Sequence, residues 1–384
     1  MRMVERISRL VPDAVPSPCY VLEEHLLRQN LELLRQVADA AGATVLCALK
    51  GFAMWSTFPM VRQYLDGATA SSLHEARLCF EEMGVKAHLC APVYLDHEFD
   101  DIASISSHIT FNSLQQYARF QQRARGHGLQ MAIRINPEYS EVGTALYNPC
   151  TPGSRLGATR AALGDRLPDG IDGLHFHALC EQNADALRNT LEAVEKKFGD
   201  LLHSIRWINM GGGHHITRED YDLNLLISSI RDFKKKYPLE VILEPGEAIG
   251  WQTGCLVSTV QDIITANGIH TAMLDVSFSA HMPDCLEMPY KPVIRGSRDP
   301  GSGRFVYRMG GTTCLAGDFM GDYAFDRPLS PGDRLIFEDM IHYTMVKTTT
   351  FNGVNLPSIG VWTENDEFRL VKSFGYADYR DRLS

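Results

Sequence analysis

Thr44-Val45-Leu46-Cys47-Ala48-Leu49-Lys50-Gly51 is the stretch from which the rest of the chain can be ordered. Six small, apolar or β-branched residues before a single cation read as a buried strand, with the lysine at its C-terminal end. A barrel or an open α/β sheet keeps its chemistry at that end. An ammonium at the mouth of an apolar strand is unfavourable unless it is paired or neutral. Schiff-base formation is one use for it; snorkelling to the surface after a strand is the plainer one.

Upstream, apolar residues at Leu27, Leu31, Leu34, Ala38 and Ala41 mark a helix stopped by Gly42, and 17–22 reads as a short strand. Downstream, strand patterns over 67–72, 87–94, 108–112, 130–136, 173–179, 204–210 and 240–243 alternate with helical ones over 57–65, 73–83, 114–126, 184–198 and 219–236. This alternation, in about eight units, predicts a (β/α)8 barrel, with an open doubly wound sheet as its rival. Residues 138–157, with Pro149, Pro152 and Gly153, are expected to form a functional loop. Near Thr253 the texture changes. Strand-like segments over 255–265, 270–276, 303–309, 334–338, 343–351, 358–363 and 368–374 predict a second, mostly β domain, which the strand near Tyr20 is expected to join. The expected division is a barrel over 22–252 and a β domain from 1–21 with 253–384.

A length of 384 residues suits two domains, and 45% hydrophobic residues allow a sizeable core. A net charge of −10 argues against nucleic acid, which needs a concentrated basic surface. Nine dispersed cysteines without a C-x-x-C pair predict a reduced protein with no disulfide frame and no metal site. The first eighteen residues lack a signal-peptide apolar core and no apolar run is long enough to span a bilayer, so a cytoplasmic location is expected.

Polar clusters fall at the predicted strand ends. Gly211-Gly212-Gly213 would let backbone N–H groups approach a phosphate, or would simply make a tight turn. The triplet comes too late in the chain for a nicotinamide fingerprint. Glu244, before Pro245-Gly246, can hold a pyridine nitrogen protonated, or be a solvated acid or helix cap. His175 and His177 alternate along a strand and so face one side, either as core residues or with an imidazole above a flat ring. Cys314 lies in the loop Gly311–Asp318, where a thiol near a carboxylate can donate a proton. Tyr343 has a hydroxyl that would suit a phosphate, or is an ordinary strand tyrosine.

Ala48-Leu49-Lys50-Gly51, Arg134-Ile135-Asn136-Pro137, His175-Phe176-His177-Ala178, the glycine triplet, Glu244-Pro245-Gly246, the Cys314–Asp318 loop, and Tyr343 with Phe351-Asn352-Gly353 occur in a recognisable order. In that order the chain resembles the fold-type III pyridoxal phosphate (PLP) decarboxylases, which include diaminopimelate and ornithine decarboxylases, from about Pro18 to about Phe374. Within that group it is most similar to the branch acting on carboxynorspermidine and carboxyspermidine. That likeness rests on Glu244–Ala248, His281–Tyr290 and Cys314–Asp318. Ornithine and diaminopimelate enzymes usually have Arg where Glu247 stands and an acid where Leu315 stands.

The resemblance implies an alanine-racemase-like pairing of a PLP-binding barrel with a β domain, in a head-to-tail homodimer with shared active sites. It implies that Lys50 holds PLP, Glu244 pairs with the pyridinium nitrogen and His177 stacks on the ring. Gly211, Gly212, Gly213, Gly246 and Tyr343 are then expected at the phosphate, with Cys180 nearby and Arg134 beside the cofactor. Cys314 is expected to protonate the product carbon in the other subunit. Glu247 and Asp284 are expected to select a cationic carboxypolyamine, with Glu287 and Asp318 as further candidates; Asp284 is otherwise a turn residue. Alternatives are a diaminopimelate or other basic amino-acid decarboxylase and a catalytically silent relative.

Overall fold

The computed structural model describes residues 7–384, so positions 1–6 of the expected β domain lie outside the described residues. The described chain separates into two compact units, 30–249 and the pair of segments 7–29 and 250–384. Strands are numbered in chain order: β1 (Cys19–Glu23), β2 (Thr44–Ala48), β3 (Gly67–Ala70), β4 (Ala87–Cys90), β5 (Ser106–Phe111), β6 (Gln130–Arg134), β7 (Gly173–His175), β8 (Trp207–Asn209), β9 (Glu240–Leu243), β10 (Gly254–Ala266), β11 (Ile269–Leu274), β12 (Phe305–Gly310), β13 (Phe319–Phe325), β14 (Arg334–Glu338), β15 (Ser358–Trp362) and β16 (Phe368–Lys372).

In the first unit β2 to β9 close in sequence order into a parallel barrel. The open-sheet rival fails because β9 pairs back onto β2, Thr44 with Ile242 and Val45 with Leu243. The helix after β1, Glu24–Ala41, stops at Gly42, which has φ 66°. The predicted helix over 73–83 is α-helical through Leu78 and then makes one π turn, Cys79–Met83, ended by Gly84 at φ 72°. The inside of the barrel is filled by side chains, with Leu46, Ala132, Trp207 and Ile242 in one buried cluster. Gly173 is required here, since a Cβ at that position would lie 2.3 Å from the Trp207 indole.

Two histidines share this interior. The rings of His88 on β4 and His108 on β5 stack at 3.8 Å and 18°, and His108 meets Trp207 edge-on at 5.3 Å. Burial, then the neighbouring His108, depresses His88 to about 3, and burial depresses His108 to about 4. Both are neutral in the native protein, whereas an unfolded histidine titrates near 6.5. The unfolded state therefore binds more protons below that pH, and stability falls as pH drops from about 6.5 toward 3, with a limiting slope of about 1.4 kcal/mol per pH unit for each histidine. Urea unfolding across this range should show a shallower pH slope for His88→Phe than for the wild type. An unchanged slope would clear the stacked pair of this role.

In the second unit the sheet order is β13-β12-β11-β10-β1-β15-β16, with β14 pairing to β10. β1 lies in the middle, antiparallel to β10 and parallel to β15. Its Cys19 and Val21 pack with Leu10, Val15, Cys255, Val257, Ile336 and Trp362. One expectation fails here and one strand was not predicted. The strand expected over 343–351 is a helical turn, Tyr343–Val346, followed by a 3-10 turn, Phe351–Gly353. Its β-branched residues carry a strand signal, but the amides of Met345, Val346 and Lys347 turn back onto the carbonyls of His342 and Tyr343. β13 went unpredicted because Gly321 and Asp322 interrupt its apolar pattern; it pairs with β12 across an irregularity near Arg308.

Candidate active site

Lys50 leaves the barrel in the turn after β2, where Gly51 N–H donates to Ala48 O at 2.9 Å. A Cβ on Gly51 would lie 2.9 Å from the Gly246 backbone, so glycine lets the loops after β2 and β9 touch. At this C-terminal end of the barrel a cavity of ≈400 Å³ opens, bordered by Lys50, Cys90, Arg134, His175, His177 and Glu244. Part of its wall comes from the predicted loop over 138–157, through Leu146, Tyr147 and Arg155.

The Lys50 side chain is open to solvent on the cavity side. Protein surrounds it on the others, and that enclosure, aided by the charge of Arg134, lowers its pKa against the opposing pull of Glu244. Its Nζ lies 3.5 Å from His177 Nε2. His177 Nδ1 accepts a hydrogen bond from Gly212 N–H at 2.9 Å, which puts the hydrogen of the neutral ring on Nε2. Burial, followed by Lys50 and Arg134, pushes His177 well down and so keeps the ring neutral. A donor on Nε2 suits a neutral amine at Lys50 and opposes an ammonium.

Glu244 is 7% exposed. Burial alone would raise its pKa, but His175, Asn209 and Thr69 outweigh burial and hold it at about 2. Asn209 Nδ2 donates to Oε1 at 2.7 Å, and His175 Nε2 lies 3.5 Å from Oε2. Arg134, His175 and Asn209 are aligned by register across β6, β7 and β8, so they face the same side.

The glycine triplet also has a packing role. Gly211 N–H donates to Asn209 Oδ1 at 2.8 Å and Gly212 N–H to His177, so two of the three amides already have partners inside the chain. A Cβ on Gly212 would fall 2.4 Å from Glu244 O, and one on Gly213 2.1 Å from Leu179 O. Close approach of three strand-end loops therefore demands glycine here. Cys180 borders this packing, its N 2.8 Å from the Cβ that Gly213 lacks, and Gly246 packs against Ala48 and Gly51. Glu247 lies 3.9 Å from His215 Nε2, both largely buried.

The remaining candidates belong to the second unit. Cys314 is exposed, and its N–H donates to Asn352 Oδ1 at 2.8 Å. Asp318, 5% exposed, accepts from Phe278 N, Ser279 N, Thr313 N and Thr313 Oγ1. Those four bonds occupy its acceptor positions and hold the Cys314 loop, so a substrate cation would meet it in competition with them. Lys347, overlooked in the sequence, places Nζ 2.6 Å from Asp284 and 2.7 Å from Glu287, and lies 5.8 Å from the Tyr343 ring centre. Also overlooked were Cys90, Asn209 and Thr69. Cys90 and Asn209 are the last residues of their strands, and that position was the available signal.

The cavity fits PLP by its donor set: an amine of lowered basicity, a buried carboxylate held anionic and a neutral imidazole border one space. Among the described residues no helix is long and apolar enough to cross a membrane.

Residues 19–341 match the family model described as pyridoxal-dependent decarboxylase, C-terminal sheet domain. The chain is 54% identical over 371 residues to the carboxyaminopropylagmatine decarboxylase of Synechocystis sp., covering 96% of each protein. It is 44% identical over 378 residues to the carboxynorspermidine/carboxyspermidine decarboxylase of Campylobacter jejuni, covering 96% of this chain and 98% of that one. The crystal structure of carboxynorspermidine decarboxylase from Campylobacter jejuni, complexed with norspermidine, superposes with a TM-score of 0.89 at 43% identity, over 96% of this chain and 100% of that one.

Proposed function

The chain belongs to the pyridoxal-dependent decarboxylase family, and from that premise we propose that it decarboxylates carboxynorspermidine or carboxyspermidine, yielding norspermidine or spermidine, with PLP in the barrel cavity. The observation that carries the reaction class is the lowered-basicity amine of Lys50 sharing one cavity with the anionic Glu244. When bound, PLP supplies an electron sink for the pair left as CO2 departs. Lys50 is the residue to hold the cofactor, because its lowered pKa makes the neutral amine more accessible. Glu244, fixed by Asn209 and His175, would hold a proton on the cofactor's ring nitrogen. His177, pinned by the Gly212 amide, gives the cavity a rigid neutral wall, with Arg134 alongside.

The reading includes a cytoplasmic homodimer in which Cys314 returns a proton to the product carbon. Gly211, Gly212, Gly213, Gly246, Cys180 and Tyr343 are retained as the phosphate's surroundings, with Gly213 the member of the triplet whose amide is not given to Asn209 or His177. Glu247 is retained for the cationic tail. Asp284 and Glu287 reach such a cation only in exchange for Lys347, which limits their net contribution. A second reading, in which the tail ends in a guanidinium as in carboxyaminopropylagmatine, is favoured by the 54% identity to the Synechocystis enzyme.

The test is CO2 release from carboxynorspermidine, carboxyspermidine, carboxyaminopropylagmatine, diaminopimelate, ornithine, arginine and lysine. A carboxypolyamine should exceed diaminopimelate in kcat/KM by at least about tenfold, worth about 1.4 kcal/mol of transition-state binding. Preferred turnover of diaminopimelate or ornithine would overturn the assignment.

A further inference from the structure

His175 has an acidic group at each ring nitrogen. Cys90 Sγ at the end of β4 lies 3.9 Å from Nδ1, and Glu244 Oε2 lies 3.5 Å from Nε2. The imidazole is 2% exposed. Cys90 is only partly buried and borders the cavity. An imidazole between a thiol and an oriented carboxylate is the arrangement that moves a thiol proton onto the ring.

We propose that Cys90, His175 and Glu244 form a proton-sharing chain in the floor of the cavity. His175 is the positioning residue, an imidazolium that keeps Glu244 charged and in place and keeps Cys90 a nucleophilic thiolate. A small electrophile entering the cavity then has a modification site at Cys90. The reach of His175 through Glu244 to the cofactor rests on the PLP reading; the thiolate does not.

The electrostatics agree. Burial would raise the Cys90 pKa, yet His175 and then Arg134 lower it. Burial would lower the His175 pKa, yet Cys90 and Glu244 raise it to about 9. The other charged or titratable groups facing the chain are Lys50 and Arg134, His177, His88 on β4, and Tyr94 beyond Cys90. Arg134 is a cationic neighbour that favours a thiolate and opposes a second imidazolium, so the position of His175 between two acids is what allows it to be charged.

Alkylation by iodoacetamide reads the thiolate directly. The Cys90 sulfur attacks the methylene carbon, a C–S bond forms, and iodide leaves with the bonding pair. The rate at Cys90, followed by peptide mass spectrometry on protein freed of cofactor, should change less than threefold between pH 8 and pH 6. Glutathione in the same tube should slow about tenfold per pH unit below about 8.5. His175→Gln should restore the glutathione-like slope at Cys90. A Cys90 that tracks glutathione in the wild type, that resists alkylation at every pH, or whose slope ignores His175→Gln would overturn the proposal. Should His175→Gln fail to fold, Glu244→Gln removes the other anchor and should shift the Cys90 profile toward alkaline pH; no shift counts against the chain.

In the loaded protein, His175→Gln should move the pH midpoint of the cofactor absorbance by at least one unit, which a merely structural role would not do. PLP should protect Cys90 from alkylation. If the profile is flat as expected but PLP gives no protection, the thiolate stands and the placement of the cofactor in this cavity fails.

Discussion

Lys50→Ala is expected to abolish CO2 release, by roughly a thousandfold or more, equivalent to about 4 kcal/mol of barrier. The size of the loss follows from the surroundings of Lys50. Its side chain opens onto the cavity and onto water only on that side, while Arg134 and the enclosing wall lower its basicity. No other amine borders the cavity among the described residues, so none can take over its chemistry. Borohydride reduction of the PLP-loaded wild type should fix the cofactor to the peptide containing Lys50. Label on another lysine, or residual activity within tenfold of wild type in Lys50→Ala, would defeat the scheme. The fold should survive the substitution, because the turn is held by the backbone bond from Gly51 to Ala48, which does not use the side chain.

Cys314→Ala should keep PLP and lose about 10²- to 10⁴-fold in kcat, the contribution expected of one positioned acid. The loop that carries the thiol is fixed by Asp318 through four hydrogen bonds and by Asn352 through the Cys314 amide, none of which uses the sulfur. Truncation should therefore cost within about 0.5 kcal/mol of stability, as surface substitutions generally do. The cofactor absorbance should be unchanged while turnover collapses. Co-expression of Lys50→Ala with Cys314→Ala should restore part of the lost activity if the sites are shared between subunits. A fully active Cys314→Ala protein would remove the thiol from the mechanism, and co-expressed variants no better than either alone would remove the sharing.

The residues that could be read from the sequence are those whose chemistry coincides with a strand end. Lys50, Glu244 and His177 each follow a short apolar run, and a parallel barrel puts all such ends on one face. What could not be read depends on distance between segments far apart in sequence. Periodicity shows which way Cys90 and His175 face, but not that strands four and seven bring them together across the barrel. The glycine triplet was recognisable as a place where backbone N–H groups could meet a phosphate, but not as one against which backbone from 179 and 244 packs. Asp284 and Glu287 looked like free acids until Lys347, some sixty residues further along, met them. The same limit produced the false strand over 343–351. Local β-branched density was visible, whereas the absence of a partner edge was a property of the finished sheet.

The central position of β1 also governs the timing of biogenesis. Its two neighbours, β10 and β15, begin at Gly254 and Ser358, so this strand emerges from the ribosome long before anything exists to pair with it. At ordinary elongation rates the wait for β10 alone is roughly 10–50 s, the time in which the barrel strands β2 to β9 are being made. During that interval an apolar strand with two open edges is a target for chaperones and for aggregation. A chain released early, before Ser358, would keep every barrel strand yet leave β1 half-paired, so truncation products should accumulate as insoluble material despite an intact barrel sequence.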